Sequence, residues 1–154
     1  MSEYIHKSHN VSVLMYHFVC PAKYRSAIFS DSVSKTLAET CRGISERYET
    51  YFLEIGTDKN HVHFLIQSVP KYSPTKIITI VKSITARRIF LTHPEVKKQL
   101  WGGEIWTDGF FVNTVSKFGS EEIIKNYLKN QGNETLKDYV QLHKTTEIEQ
   151  LSLF

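Results

Sequence analysis

Two histidines, His61 and His63, stand one residue apart in the apolar run Asn60-His61-Val62-His63-Phe64-Leu65-Ile66. Side chains on a β-strand alternate between the two faces, so this spacing aims both imidazoles the same way with Cα atoms about 6.6 Å apart, within reach of one shared ion. Imidazole is the commonest metal ligand among side chains, which makes the pair a candidate half of a metal site. The pattern also fits two hydrogen-bonded surface histidines, and spacing alone does not choose. A catalytic metal needs further ligands, and phosphoryl transfer needs a nucleophile. In the helical stretch Glu121 to Gln131 (EEIIKNYLKNQ), Tyr127 and Gln131 lie one turn apart on one face, a phenol beside an amide. Ile123, Ile124, Tyr127 and Leu128 equally form an ordinary core stripe in which Tyr127 only packs its ring.

The elements that must position these residues follow from periodicity and punctuation. Val11 to Cys20 (VSVLMYHFVC) is rich in β-branched and aromatic residues and stops at Pro21, so it is expected to be a first strand. Ser30-Asp31-Ser32 supplies N-cap candidates for a helix whose apolar stripe is Val33, Leu37, Cys41 and Ile44. Tyr48 to Ile55 is expected to be a second strand, residues 56 to 60 a turn, and His61 to Ser68 a third strand in a hairpin with the second. Ser73 as N-cap and Pro74 at the first helical position open a second helix to about Leu91, with Ile77, Val81 and Ile84 on one stripe. Leu100 to Thr107 is irregular, Gly109 to Ser116 a fourth strand, and Gly119-Ser120-Glu121 caps the helix that carries Tyr127, which Gly132 ends. The first six elements are the split βαβ of a ferredoxin-like α+β domain, an antiparallel sheet with helices on one face. Val62, Phe64 and Ile66 would then bury under the helices, and His61 and His63 would emerge on the open face where a ligand can reach them.

The 154-residue chain is expected to form one catalytic domain over 1 to 132, followed by a tail, 133 to 154, in which Leu136, Tyr139, Val140 and His143 have the spacing of a short docking helix. Net charge is +3, with the tail negative by two and the rest therefore at +5, a basicity compatible with nucleic acid but not diagnostic of it. No secretory h-region or membrane-length apolar run is present, so a cytoplasmic protein with no membrane partner is expected. Cys20 and Cys41 lack the spacing of a zinc knuckle or redox motif and are expected to be ordinary thiols. His6, His9, His17, His93 and His143 show no pairing and are expected to be structural or exposed.

Several blocks in order, namely Tyr16-His17-Phe18-Val19-Cys20-Pro21 with Lys23-Tyr24-Arg25, the His61/His63 strand, Pro70-Lys71-Tyr72-Ser73, Leu100-Trp101-Gly102-Gly103-Glu104-Ile105-Trp106 with Gly109-Phe110-Phe111-Val112, and the late Tyr127, carry a likeness over nearly the whole domain. The chain resembles the single-tyrosine HUH transposases of small bacterial and archaeal insertion sequences and their REP-associated relatives. That resemblance implies a divalent cation, Mg²⁺ or Mn²⁺, held by His61, His63 and Gln131, with Tyr127 as the nucleophile that cleaves and rejoins single-stranded DNA through a 5'-phosphotyrosine link. It also implies hairpin DNA as partner and a homodimer joined edge to edge, with one subunit's tyrosine helix against the other's histidines. The nearly uncharged fourth strand would be a hazardous open edge, which such pairing removes, although an internal strand would explain it equally. Lys23, Arg25, Lys76, Lys82, Arg87 and Arg88 are candidates for phosphate contacts, and Tyr24 and Tyr72 for base stacking. Glu54 and Asp58 flank the histidine strand and could orient a histidine or a bound water, and Trp101, Gly102, Gly103 and Trp106 are expected to shape a loop.

Competing readings are a domesticated relative that nicks hairpins without moving itself, and a non-catalytic nucleic-acid-binding domain with structural histidines. A zinc hydrolase is disfavoured, because no third His, Cys or carboxylate has a recognisable zinc spacing.

Overall fold

A computed structural model of the chain describes residues 4 to 115. The helix expected around Tyr127 and Gln131, and the tail 133 to 154, lie outside the described residues. Within them the elements are β1 (Ile5–His6), β2 (Val11–Ser12), β3 (Leu14–Pro21), a 3-10 turn (Lys23–Arg25), α1 (Asp31–Tyr48), β4 (Tyr51–Thr57), β5 (His61–Ser68), α2 (Pro74–Thr92), α3 (Pro94–Gln99) and β6 (Phe111–Val115). The main sheet has the order β4-β5-β3-β6 with every neighbouring pair antiparallel. With β1 and β2 set aside in a small hairpin of their own, this is the ferredoxin-like split βαβ.

Local chemistry explains most boundaries. Ser30 caps α1 by accepting from the Val33 backbone N–H at 3.3 Å, and Ser73 caps α2 by accepting from Lys76 N–H at 3.1 Å, with Pro74 filling the first helical position. Both helices lie over one face of the sheet. From α1, Val33, Leu37, Cys41 and Ile44 enter the core; from α2, Ile77, Ile78, Val81 and Ile89 do. Across the sheet they meet Phe18 and Cys20 of β3 and Val62, Phe64 and Ile66 of β5, all fully buried. No helix among the described residues is long and apolar enough to cross a membrane.

Five features depart from the expected pattern. The first strand is interrupted at Val13, because Val11 and Ser12 pair with Ile5 and His6 rather than with the main sheet. Tyr48 ends α1 instead of opening β4: Glu49 turns the chain in the left-handed region (φ 51°), a reversal that a strand-like composition does not reveal. The β4–β5 ladder then slips between Phe52 and Glu54, so that Phe52 and Ile55, three residues apart, both reach the core. The six residues of α3 are too few for periodicity to disclose, and their Pro94 start follows directly on α2. On α2, Ile84 is only partly buried, and the stripe passes through Thr85 instead, which satisfies its hydroxyl by donating to Val81 O at 2.6 Å and accepting from Trp106 Nε1 at 3.1 Å.

Phe64 sits at the centre of this core, its ring 5.8 Å from that of Phe52 and 6.4 Å from that of Trp106. Phe64→Ala is expected to cost about 3–5 kcal/mol, seen as a lower urea midpoint at unchanged slope.

Candidate active site

The alternation that buries Val62, Phe64 and Ile66 puts His61 and His63 on the opposite face of the sheet, as expected. Their ring centroids are 5.0 Å apart, and in register His63 lies between Val19 of β3 and Gly56 of β4. The face is not open at that point: His63 is 2% exposed and His61 is half-buried. Strand β5 is central in the sheet, and this face carries an apolar cluster of its own, Met15 and Leu65 with Val13, Leu53 and Val115 against them.

A third histidine, expected to be unpaired, joins the pair. His17 of β3 places Nε2 3.3 Å from Nδ1 of His63, the two rings nearly parallel at 11°. Its own Nδ1 lies 3.1 Å from Oδ1 of Asn113, its register partner on β6. At the other end of the group, His61 Nδ1 meets Asn60 Oδ1 at 2.7 Å and His61 Nε2 lies 3.9 Å from Asp58. Glu54 is buried on this same face of the sheet. His93, also expected to be unpaired, is instead bonded to Thr36 at 2.7 Å and lies 3.3 Å from Glu95 in the helical layer.

Burial disfavours the charged form of all three imidazoles. It lowers the pKa of His17 against the opposing Asn113 hydrogen bond, and that of His61 against the attraction of Asp58. For His63, burial and then the neighbouring His61 and His17 bring it to about 3. The imidazoles are therefore neutral at neutral pH, the form that binds metal. His63 Nε2 is buried with no hydrogen-bond partner among the described residues, an orphan lone pair or proton that a ligand would satisfy. Among these residues no group of three or more His, Cys, Asp or Glu is placed to hold a metal ion, so two imidazoles suit a cation only with donors from elsewhere.

Of the eight candidate DNA-binding residues, the structure brings three to the histidines. Lys23, Tyr24 and Arg25 form the turn that follows β3, and Pro21 at its root pairs with His61. Backbone bonds from Ala22 N to Asn60 O (2.8 Å) and from Lys23 N to Ile105 O (2.6 Å) pin this turn beside the site, and the Arg25 charge bears on His61. Tyr24 (75% exposed) and Arg25 both occupy the left-handed region, at φ 58° and 53°, a conformation costing roughly 1–2 kcal/mol per residue and characteristic of functional turns. The others lie elsewhere. Lys76, Arg87 and Arg88 are exposed on α2, with the sheet between them and the histidines, and Tyr72 packs partly buried beyond the far end of β5. Lys82 is committed to structure: its Nζ donates to Thr107 O at 2.9 Å and Gly109 O at 2.8 Å and lies 5.3 Å from the centre of the Phe110 ring, which leaves it poorly placed for phosphate. The loop ahead of β6 is shaped by Trp106, buried against Phe29 and Phe64, whereas Trp101 is 92% exposed.

The residues missed in sequence, His17 and Asn113, obey the same alternation as His61 and His63, since Tyr16, Phe18 and Cys20 bracket His17 with core-facing neighbours. What no spacing reveals is the register that lays β3 and β6 beside β5.

These imidazoles make stability depend on pH. The unfolded chain protonates His63 below about 6.5 and the folded chain resists until about 3, so its contribution is complete above pH 6.5 and declines as pH falls through that window. The decline is up to about 1.4 kcal/mol per pH unit per group. Urea titrations in chelator are expected to show the midpoint dropping from pH 7 to pH 5 and a shallower drop in His63→Phe; equal slopes would contradict the buried neutral imidazole.

A family model described as "Transposase IS200 like" matches residues 10 to 131. The chain is 28% identical over 118 residues to the ISDra2 transposase TnpA of Deinococcus radiodurans, covering 77% of this chain and 84% of that one. It is 26% identical over 116 residues to the transposase for insertion sequence element IS200 of Salmonella typhimurium, covering 75% of each. A crystal structure from Deinococcus radiodurans described as a transposase superposes with a TM-score of 0.67 at 28% identity, over 82% of this chain and 97% of that one. The REP-associated tyrosine transposase bound to a REP hairpin shares the fold, with a TM-score of 0.55 at 11% identity over 86% and 75% of the two chains. With its ferredoxin-like sheet, its paired histidines and a family match across most of its length, the chain belongs to the IS200-like transposase family.

Proposed function

We propose that this transposase cleaves and rejoins single-stranded DNA at the ends of an insertion sequence, with Tyr127 as nucleophile and a divalent cation held by His61, His63 and Gln131. The observation that carries the reading is the pair of neutral imidazoles on one face of β5, one of them with a buried Nε2 that has no partner among the described residues. The names of the relatives support the DNA substrate, and the basic Lys23–Arg25 turn beside His61 supports where a strand would enter. Lys23 and Arg25 would neutralise phosphates, and the exposed Tyr24 ring would stack on an unpaired base.

When bound, the cation would polarise the scissile phosphate and offset charge on its oxygens. The Tyr127 phenol loses its proton and attacks phosphorus in line; the P–O3' bond breaks as the O–P bond to tyrosine forms, and the leaving 3' oxygen takes up a proton. Because the phosphodiester is exchanged rather than hydrolysed, another 3'-hydroxyl can reverse the step and join new ends without ATP. Imidazole ligands favour Mn²⁺ over the harder Mg²⁺. The edge position of β6 in the sheet is consistent with a homodimer paired through that strand, with Tyr127 acting on the partner's site.

The test incubates the full chain with single-stranded DNA hairpins and Mn²⁺ or Mg²⁺ and looks for a denaturant-resistant protein–DNA adduct. Wild type is expected to form it, Tyr127→Phe to form none, and His63→Ala or EDTA to reduce it by at least about a hundredfold. An adduct that survives Tyr127→Phe removes Tyr127 from the mechanism. Hairpin binding with no adduct from wild type in either metal returns the protein to the non-catalytic binding reading. In the same binding assay, Arg25→Ala is expected to lower the salt slope by about one without changing hairpin preference.

A further inference from the structure

The three sheet strands β6, β3 and β5 carry a line of polar side chains, Asn113, His17 and His63, across a face that also holds the apolar Met15 and Leu65 and the buried polar Glu54 and Gln67. We infer that Asn113 and His17 are positioning residues that fix His63 as its Nδ1–H tautomer, so that Nε2 keeps the lone pair a cation requires. The inference rests on the proposed metal site for its purpose, but not for its geometry.

Asn113 Nδ2 donates to the Thr114 carbonyl at 3.3 Å, and a carbonyl can only accept, so the amide is oriented with Oδ1 toward His17. Oδ1 in turn can only accept, and His17 Nδ1, 3.1 Å away, must carry the proton. A neutral imidazole has one N–H, so His17 Nε2 is an acceptor. Its partner at 3.3 Å is His63 Nδ1, which must therefore donate. The remaining nitrogen, His63 Nε2, is left with its lone pair, and it is the ring atom that is buried without a partner among the described residues. The opposite tautomer would set two lone pairs against each other between His17 and His63 and bury an N–H with no acceptor among the described residues. Asn60 Oδ1, 2.7 Å from His61 Nδ1, can perform the same service for the other imidazole in one step. Hydrogen-bond partners of this kind raise ligand basicity and hold ring orientation in metal sites, and losing one typically weakens metal binding 10- to 100-fold.

The test records long-range ¹H–¹⁵N correlations of ¹⁵N-histidine-labelled full-length protein at pH 7.5 without metal, then titrates Mn²⁺ into the same samples. In wild type, His63 is expected to show a protonated Nδ1 and an unprotonated Nε2. Asn113 is exposed on β6, so its variants should fold. Asn113→Leu removes the acceptor and is expected to mix the His63 tautomers and to weaken Mn²⁺ binding about tenfold or more. Asn113→Asp keeps an acceptor and is expected to retain both. His17→Phe should reproduce the Leu variant. A wild-type His63 protonated on Nε2, or an Asn113→Leu protein with unchanged tautomer and affinity, overturns the relay while leaving the metal site standing. If wild type shows the expected tautomer and Asn113→Leu mixes it, yet neither takes up Mn²⁺, the relay is supported and the metal reading falls.

Discussion

The register of β3 against β5 is the constraint on which the rest depends. Eight consecutive residue pairs, from Leu14↔Ser68 to Pro21↔His61, hold these two central strands together. Because side chains alternate with a period of two, a slip of one residue would turn Val62, Phe64 and Ile66 out of the core and force His61 and His63 into it. The hydrophobic free energy that stabilises the helical layer is therefore also what aims the imidazoles. The same register brings His17 diagonally beside His63, and the pairing of β3 with β6 adds Asn113.

Burial on the histidine face has a chemical consequence. Desolvation keeps the three imidazoles neutral, so each offers either a donor or a lone pair at its two nitrogens but never two donors. A surface pair would turn in solvent; here burial lowers the pKa of both imidazoles, that of His63 to about 3, and hydrogen-bond partners hold their rings. The thiols of Cys20 and Cys41 feel the same desolvation on the helical side, which pushes Cys20 up to about 12 and Cys41 well above its ordinary value. Both are thus inert core residues, as their spacing suggested.

Around the site, irregular backbone is fixed by a few strong points. Trp106 is buried between Phe29 and Phe64 and tied to Thr85, while Lys82 clamps the carbonyls of Thr107 and Gly109. In the segment so held, Ile105 O accepts from the Lys23 N–H and the Thr107 N–H donates to Pro21 O, and these bonds secure the strained Lys23–Arg25 turn next to His61. Lys82 thus contributes to the basic turn from a distance, by scaffolding rather than by contact. A composition-based search for cations cannot separate these roles, since a lysine committed to backbone carbonyls and one facing solvent look alike in sequence.

Local patterns determined much of this protein. The caps Ser30 and Ser73, the helix stripes, the His61–Ser68 strand and its division into core and site faces were legible because they depend on neighbours within a turn or a pleat. So was the family, through blocks spread along the chain. Less legible were β4's start, with Glu49 reversing the chain first, and the ladder slip at Phe52, because both answer to packing rather than to propensity. Only the tertiary structure decided that His17 and Asn113 join the histidine pair, that His63 is buried, that α2's cations lie behind the sheet, and that Lys23 to Arg25 lie before it. The physical reason is that alternation assigns a side chain to a face using its own strand alone, whereas a site requires residues 46 to 96 positions apart to meet, and that is set by inter-strand register and burial.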